Sequence, residues 1–186
     1  EEDPEDFVPN YVEQLKRKNT SIGIITNHNK FDRDEFIRLK KSAKKENIWL
    51  IPGIEFSLKE GIHILIAFED DWYKGQEDSI NRFLSNAFFG VQNPNLPPYP
   101  NSKFDLNETV ETLDKIGLDY FLTLAHPDDE NGLFKVLKGR TLDAFIQEDS
   151  FRKVIALQKS GNLENYKRLC DLANREVACV EGSDNA

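Results

Sequence analysis

The chain has 186 residues, of which 39% are hydrophobic and 31% charged, a composition that fits a globular domain and argues against a disordered or fibrous chain. Its net charge of −9 argues against broad, unaided attraction to nucleic acid, although bound divalent cations would reverse the local field where a phosphate enters. No apolar run approaches the roughly 20 residues of a membrane span and residues 1–6 are too acidic for a signal peptide, so we expect residues 1–186 to form one soluble, cytoplasmic domain.

The first part of the chain alternates strand and helix patterns. Asp32 or Asp34 can cap a helix with one apolar face and one lysine-rich face. The short polar turn at residues 59–61 separates two apolar runs, which predicts a hairpin or two adjacent strands. We predict strands at 22–26, 48–57 and 63–68 and a helix at 32–47.

The remainder continues the alternation after one interruption. Residues 93–100 contain four prolines, which fit neither a helix interior nor a central strand, so this segment is predicted to cross the surface. Gly117 is the expected stop of the helix before it. Helices are predicted at 77–88, 105–116, 132–138 and 163–174, and strands at 120–125, 152–158 and 177–180.

The alternation of strands and helices favours a parallel α/β architecture with right-handed crossovers. An open, doubly wound sheet usually has a glycine-rich turn after its first strand, whereas residues 27–30 read Asn-His-Asn-Lys. We therefore predict a barrel or barrel-like closure of the sheet.

The three histidines of the chain all lie at the edges of strand-like apolar runs. His28 and His126 follow such runs and His63 opens one, while Glu55 and Asp184 stand at two more edges. Imidazole and carboxylate groups together suit zinc, manganese or iron, and the rim formed by strand ends is where α/β barrels carry their chemistry. Taken singly, each residue is more often structural, but the ordered set favours a shared metal site.

Five short motifs in one order resemble those of the PHP family, the polymerase and histidinol phosphatase domains. The motifs are residues 25–29 (Ile-Thr-Asn-His-Asn), 52–57 (Pro-Gly-Ile-Glu-Phe-Ser), 63–66 (His-Ile-Leu-Ile), 125–127 (Ala-His-Pro) and 182–184 (Gly-Ser-Asp). The resemblance spans nearly the whole chain. It implies a distorted seven-stranded TIM-like (β/α)7 barrel, here incomplete at its N-terminus, and in many members a phosphoesterase activity.

By this resemblance His28, Glu55, His63, His126 and Asp184 fall on metal-ligand positions. The family site holds up to three divalent metal ions at its strand ends, which for this ligand set would be Zn, Mn or Fe. Such ions provide the charge neutralisation and the activated water that phosphate ester hydrolysis needs. The resemblance assigns ligands and leaves the identity of a catalytic residue open.

The chain departs from the family pattern at three points. It has no His-x-His pair on its first strand and no histidine after Asp184, and both gaps are expected if the sequence is a segment of a longer protein. Where the family usually reads Asp-His the chain has Asn27-His28, and Asn27 would support a metal ligand without the usual negative charge. The sequence around Asn27 looks similar to that of PHP domains attached to coiled-coil ATPases of the chromosome-maintenance type. This similarity predicts such an attached domain.

These observations lead to three functional hypotheses. The first is a metal-dependent phosphoesterase domain that hydrolyses phosphodiesters, nucleic acid among them, in a nuclease, DNA repair or defence context. The second is a degenerate, non-catalytic barrel that regulates an attached ATPase or binds a partner. The third is a phosphomonoesterase of a small metabolite. The proline-rich segment and the turn at 128–131 are candidates for the loops that select the substrate.

Overall fold

Six strands form one sheet in which the spatial order follows the chain order. The structure is a computed structural model and describes residues 4–75, 78–159 and 161–180. Within these residues the strands are Ile22–His28 (β1), Trp49–Ser57 (β2), His63–Phe68 (β3), Tyr120–Leu124 (β4), Val154–Gln158 (β5) and Ala178–Val180 (β6).

Five of these strands run in the same direction and β3 runs against them. β1 is parallel to β2, β4 to β5 and β5 to β6, while β3 is antiparallel to both of its neighbours. The connection from β2 to β3 comprises only residues 58–62, which is too short for the crossover that a parallel neighbour needs. The predicted hairpin is confirmed, and the expectation of a parallel sheet is wrong for β3 alone among the described strands.

Helices connect most of the strands. In the described part of the chain they are Pro4–Arg17 (α1), Arg33–Lys45 (α2), Asp71–Lys74 (α3), Ser79–Ala87 (α4), Leu106–Asp114 (α5), Leu133–Val136 (α6), Gly139–Gln147 (α7) and Leu163–Ala173 (α8), with a 3-10 helix at Asp149–Lys153. None of these helices has the length and apolar character that crossing a bilayer takes. The described residues thus form a mixed α/β fold with a curled, six-stranded half-barrel sheet, while the seven-stranded barrel stays a prediction.

Helix capping explains why several predicted boundaries are close to the observed ones. The Asp32 side chain accepts a hydrogen bond from the Glu35 amide at 3.0 Å and caps α2. Asp105 and Glu108 form a reciprocal capping box at the start of α5, and Gly117 follows that helix with a φ of +76°. Helices α1, α3 and α7 were not predicted. The start of the predicted strand at 152–158 is wrong, because its first two residues belong to the 3-10 helix.

The core lies against the central strands. Ile54, Phe56, Ile64 and Ile66 on β2 and β3 are fully buried, and five of the six β3 residues are buried, with Leu65 partly buried. Burial at neighbouring positions indicates a strand covered on both faces. The central hairpin is therefore held rigidly where it supplies side chains to the rim of the sheet.

Gly53 is required by the close approach of the first three strands. A Cβ atom at this position would lie 2.6 Å from Ile24 Cγ2 and 3.0 Å from the Ile66 carbonyl oxygen, on the two strands that flank β2. We expect Gly53→Ala to lower the free energy of unfolding by about 1–3 kcal/mol, the usual cost of overpacking, in urea denaturation.

Gly23→Ala is the matched control, because a Cβ atom there would meet Leu50 Cδ2 at 3.4 Å, an ordinary contact. We expect this variant to be as stable as the wild type or slightly more stable. Equal losses of stability in both variants would contradict this explanation.

Candidate metal centre

The strand register brings His28, Glu55 and His63 to one rim of the sheet. His28 is paired directly with Glu55 across β1 and β2, and His63 is paired with Ser57 across β2 and β3. The antiparallel direction of β3 places its first residue beside the last residues of its neighbours. This is why a histidine that opens a strand meets residues at the ends of others.

The Glu55 carboxylate lies at the centre of the three imidazoles. Glu55 Oε2 is 3.4 Å from His28 Nδ1, and Glu55 Oε1 is 3.2 Å from His63 Nδ1 and 3.1 Å from His126 Nε2. The two nearest ring nitrogens of His63 and His126 are 3.3 Å apart. Four of the five residues predicted as metal ligands are therefore brought together.

Burial and hydrogen bonding act in opposite directions on Glu55. Burial raises the pKa of its carboxyl group, but hydrogen bonds from His126, His28 and His63 and the charge of His28 lower it more, so that the net pKa is well below the usual value of 4.5. Nε2 of His28 is buried and has no hydrogen-bond partner among the described residues. The cluster thus combines the ionised Glu55 carboxylate with a buried ring nitrogen of His28 that makes no hydrogen bond to the described residues.

His126 is held by contacts that sequence reasoning missed. Its φ is +23°, and its backbone amide donates a hydrogen bond of 2.5 Å to Gln158 Oε1 at the end of β5. Gly132 packs so tightly below the loop that a Cβ atom would lie 2.2 Å from the His126 carbonyl oxygen. Gln158 is a polar residue that ends an apolar run, so the rule that singled out His28 could also have found it.

The proline-rich segment, residues 93–100, covers the His28 ring of the cluster. The Tyr99 ring stacks on the His28 ring with centroids 3.8 Å apart and an angle of 17° between the planes. The buried Asn29 side chain donates hydrogen bonds to the carbonyl oxygens of Pro94 (3.0 Å) and Pro100 (3.3 Å). Its own carbonyl oxygen accepts from the Ser57 amide at 3.0 Å, so one asparagine joins this segment to the ends of β1 and β2.

The roles of two predicted site residues, Asp184 and Asn27, stay predictions. Asp184 lies outside the described residues, so its role as a ligand stays a prediction. Asn27 is exposed, and in the described part of the chain no hydrogen bond joins its side chain to the three histidines. Its supporting role also stays a prediction.

The acidic turn after His126 is partly structural, because Asp128 Oδ1 accepts a hydrogen bond of 2.9 Å from Asn165 Nδ2.

The donor set fits a divalent cation. One ligand atom from each of His28, Glu55 and His63 lies within 4.8 Å of the other two, the spacing that a common metal ion requires. Imidazole nitrogens with a carboxylate oxygen suit zinc, manganese and iron. The chain is therefore a mixed α/β protein with an imidazole–carboxylate cluster that could hold a metal.

Comparison with solved structures places the fold among known proteins. No family model matches the chain, and no curated protein matches it in sequence. A Bifidobacterium adolescentis protein provisionally described as a metal-dependent phosphoesterase is similar, with a TM-score of 0.59 and 15% identity over 95% of this chain and 81% of that protein. PsfC from Pseudomonas syringae has a TM-score of 0.55 and 13% identity over 93% of this chain and 65% of its own. At these identities the likeness concerns the fold.

The lowered pKa of Glu55 predicts how the metal-free protein responds to acid. A carboxyl group whose pKa is lower in the folded than in the unfolded state stabilises the fold at pH values above its unfolded-state pKa, here near 4.5. This contribution is lost as the pH falls below that value. We expect the stability difference between the wild type and Glu55→Gln, measured by urea denaturation with a chelator, to stay constant from pH 6 to about pH 5 and to narrow from there down to pH 3. A difference that does not change with pH would contradict the stabilising contacts of the carboxylate.

Proposed function

We propose that this chain is a PHP-type, metal-dependent phosphoesterase domain that hydrolyses phosphodiesters. The observation that carries the proposal is the convergence of His28, His63 and His126 on the two oxygens of Glu55 at one rim of an α/β sheet. The fold likeness to a protein described as a metal-dependent phosphoesterase supports the same reaction class.

His28, Glu55, His63 and His126 would hold the metal ions, with Asp184 as a further proposed ligand. When bound, divalent ions neutralise charge on phosphoryl oxygens and lower the pKa of water to about 7. Neutral imidazoles donate lone pairs without cancelling the charge of a cation. The two oxygens of Glu55 face different histidines, so each oxygen would act as a separate donor to bound metal.

The surrounding residues would keep these ligands in place. The hydrogen bond from the His126 amide to Gln158 fixes the loop after β4, and the Tyr99 ring covers one face of the His28 imidazole. Supporting contacts of this kind set the orientation and basicity of metal ligands. We propose that Asn29 contributes indirectly, by holding the segment that carries Tyr99.

A second candidate function is a non-catalytic barrel that binds a partner or regulates an attached ATPase. The direct contacts of the three imidazoles with Glu55 favour it, because imidazole N–H groups would satisfy the carboxylate without a metal. The presence of Asn27 in the sequence points in the same direction. Metal binding and turnover distinguish the two candidates.

Glu55→Gln tests the leading proposal. We expect the variant to bind Mn²⁺ and Zn²⁺ at least about tenfold more weakly in isothermal titration calorimetry, because the amide removes the charge of a central ligand. Hydrolysis of bis(p-nitrophenyl) phosphate should fall in parallel.

Glu69→Gln is the control. Glu69 follows the last residue of β3 at the opposite end of the sheet, where its side chain accepts a hydrogen bond of 3.0 Å from the Asp119 amide. This variant should bind metal as the wild type does. If the wild type neither binds these metals nor turns over the ester, the non-catalytic function is favoured.

Tyr99 provides a second test through a residue that is not itself a proposed ligand. Loss of the stacked ring in Tyr99→Ala should free the His28 side chain and raise the metal dissociation constant about three- to tenfold, near the low end for a supporting residue. Tyr99→Phe keeps the ring and should bind as the wild type does. An equal effect of both variants would indicate that the hydroxyl group, and not the stacking, matters.

A further inference from the structure

The side-chain amide of Gln158 has two ends with different surroundings. Its oxygen, Oε1, accepts the hydrogen bond from the His126 backbone amide that holds the loop after β4. Because a backbone N–H group can only donate, the oxygen must face it, and the NH₂ group of Gln158 takes the other position. In the described part of the chain no hydrogen bond engages Nε2. One side chain thus offers an acceptor to the loop and two unused N–H donors.

Burial fixes the position of these donors. Gln158 is only 7% exposed, although it is polar and ends β5. It lines a cleft of about 900 Å³ that also has His126 in its wall. Ligand sites typically combine such a cleft with a few precisely placed polar groups that fix the orientation of the ligand. The Gln158 NH₂ group is therefore available to a ligand in this cleft.

The cleft lies directly beside the histidine–glutamate cluster. Nε2 of the His126 ring is 3.1 Å from Glu55 Oε1, while the backbone amide of the same residue donates to Gln158. A group bound by the cluster is therefore separated from the Gln158 amide by a single residue. This arrangement places a neutral, directional donor next to the proposed metal ligands.

The lining of the cleft favours an acceptor that carries negative charge. The chain as a whole has a net charge of −9, but lysines outnumber acidic residues among the lining groups, which include Lys135, Lys138, Lys159, Asp128 and Asp129. Hydrogen bonds to ionised acceptors are roughly twice as strong as those between neutral groups. An anionic oxygen is thus the acceptor that this donor and these cations bind best.

We propose that Gln158 Nε2 donates a hydrogen bond to a phosphoryl oxygen of the substrate and fixes the phosphate beside the cluster. The proposal rests on the proposed function and adds to it a substrate-binding residue that is not a metal ligand. It applies to monoesters and diesters alike, because the contact is with the phosphoryl oxygen that both contain. One rigid amide then sets the position of the His126 loop and of the substrate together.

Gln158→Glu separates these two tasks, because a carboxylate of the same shape keeps an acceptor for the His126 amide but has no N–H donor. Isothermal titration calorimetry first measures Mn²⁺ binding, which should be no weaker than in the wild type. Inorganic phosphate is then titrated into the Mn²⁺-loaded protein. We expect its affinity to fall at least about tenfold, the usual effect of losing a hydrogen bond to a charged group. A residue that only holds the loop would leave phosphate binding unchanged in this variant.

Asn162→Asp is the matched control for charge. Asn162 lines the same cleft, and an aspartate retains the oxygen that caps α8 by accepting from the Glu164 and Asn165 amides. This variant adds the same negative charge and should weaken phosphate binding less than about threefold, because solvent and salt screen charges across an open cleft. Equal losses in both variants, or wild-type phosphate affinity in Gln158→Glu, would overturn the proposal and leave the proposed function standing.

Failure of the proposed function gives a different result. A wild type that binds no Mn²⁺ would refute the metal centre, and the phosphate titration is then repeated in a chelator. Phosphate binding that Gln158→Glu weakens at least about tenfold under these conditions would support the Gln158 contact without a metal. A wild type that binds no phosphate, with or without Mn²⁺, would overturn it.

Discussion

The reversed direction of β3 is the constraint on which the histidine–glutamate cluster depends. His63 is the first residue of its strand, while His28 and Glu55 lie at or near the ends of theirs. Had β3 been parallel to β2, its six residues would have carried His63 to the opposite end of the sheet, about 20 Å away. The five-residue connection at 58–62 permits only the antiparallel arrangement, so the length of one turn decides whether the cluster exists.

The Glu55 carboxylate requires a positive charge close to it. It is largely buried, and its pKa is lowered because three imidazoles contact it, not because solvent reaches it. That charge can come from protons on the histidines or from metal ions, and the two compete for the same nitrogens. The contacts that stabilise the carboxylate in the metal-free fold are therefore made by the same nitrogens that the proposed metal ions would use.

The sequence located the cluster but not the contacts that support it. His28, Glu55, His63 and His126 could be found because ends of neighbouring strands meet at a rim, a rule that needs only the order of the elements. Asn29, Tyr99 and Gly132 could not, because their roles come from contacts across 28 to 71 positions in the chain or from a close backbone approach. Helix α1 was missed although Val12 is buried, since its polar and charged residues hide a narrow apolar face.

The two halves of the sheet divide the tasks of the proposed site. Strands β1 to β3 contribute His28, Glu55 and His63, which the proline-rich segment covers through Tyr99. The loop after β4 contributes His126, and the end of β5 contributes Gln158. His126 joins the two halves, because its ring contacts Glu55 and its backbone amide contacts Gln158. Its unusual backbone conformation is tolerated because Gln158 and Gly132 hold the loop from two sides.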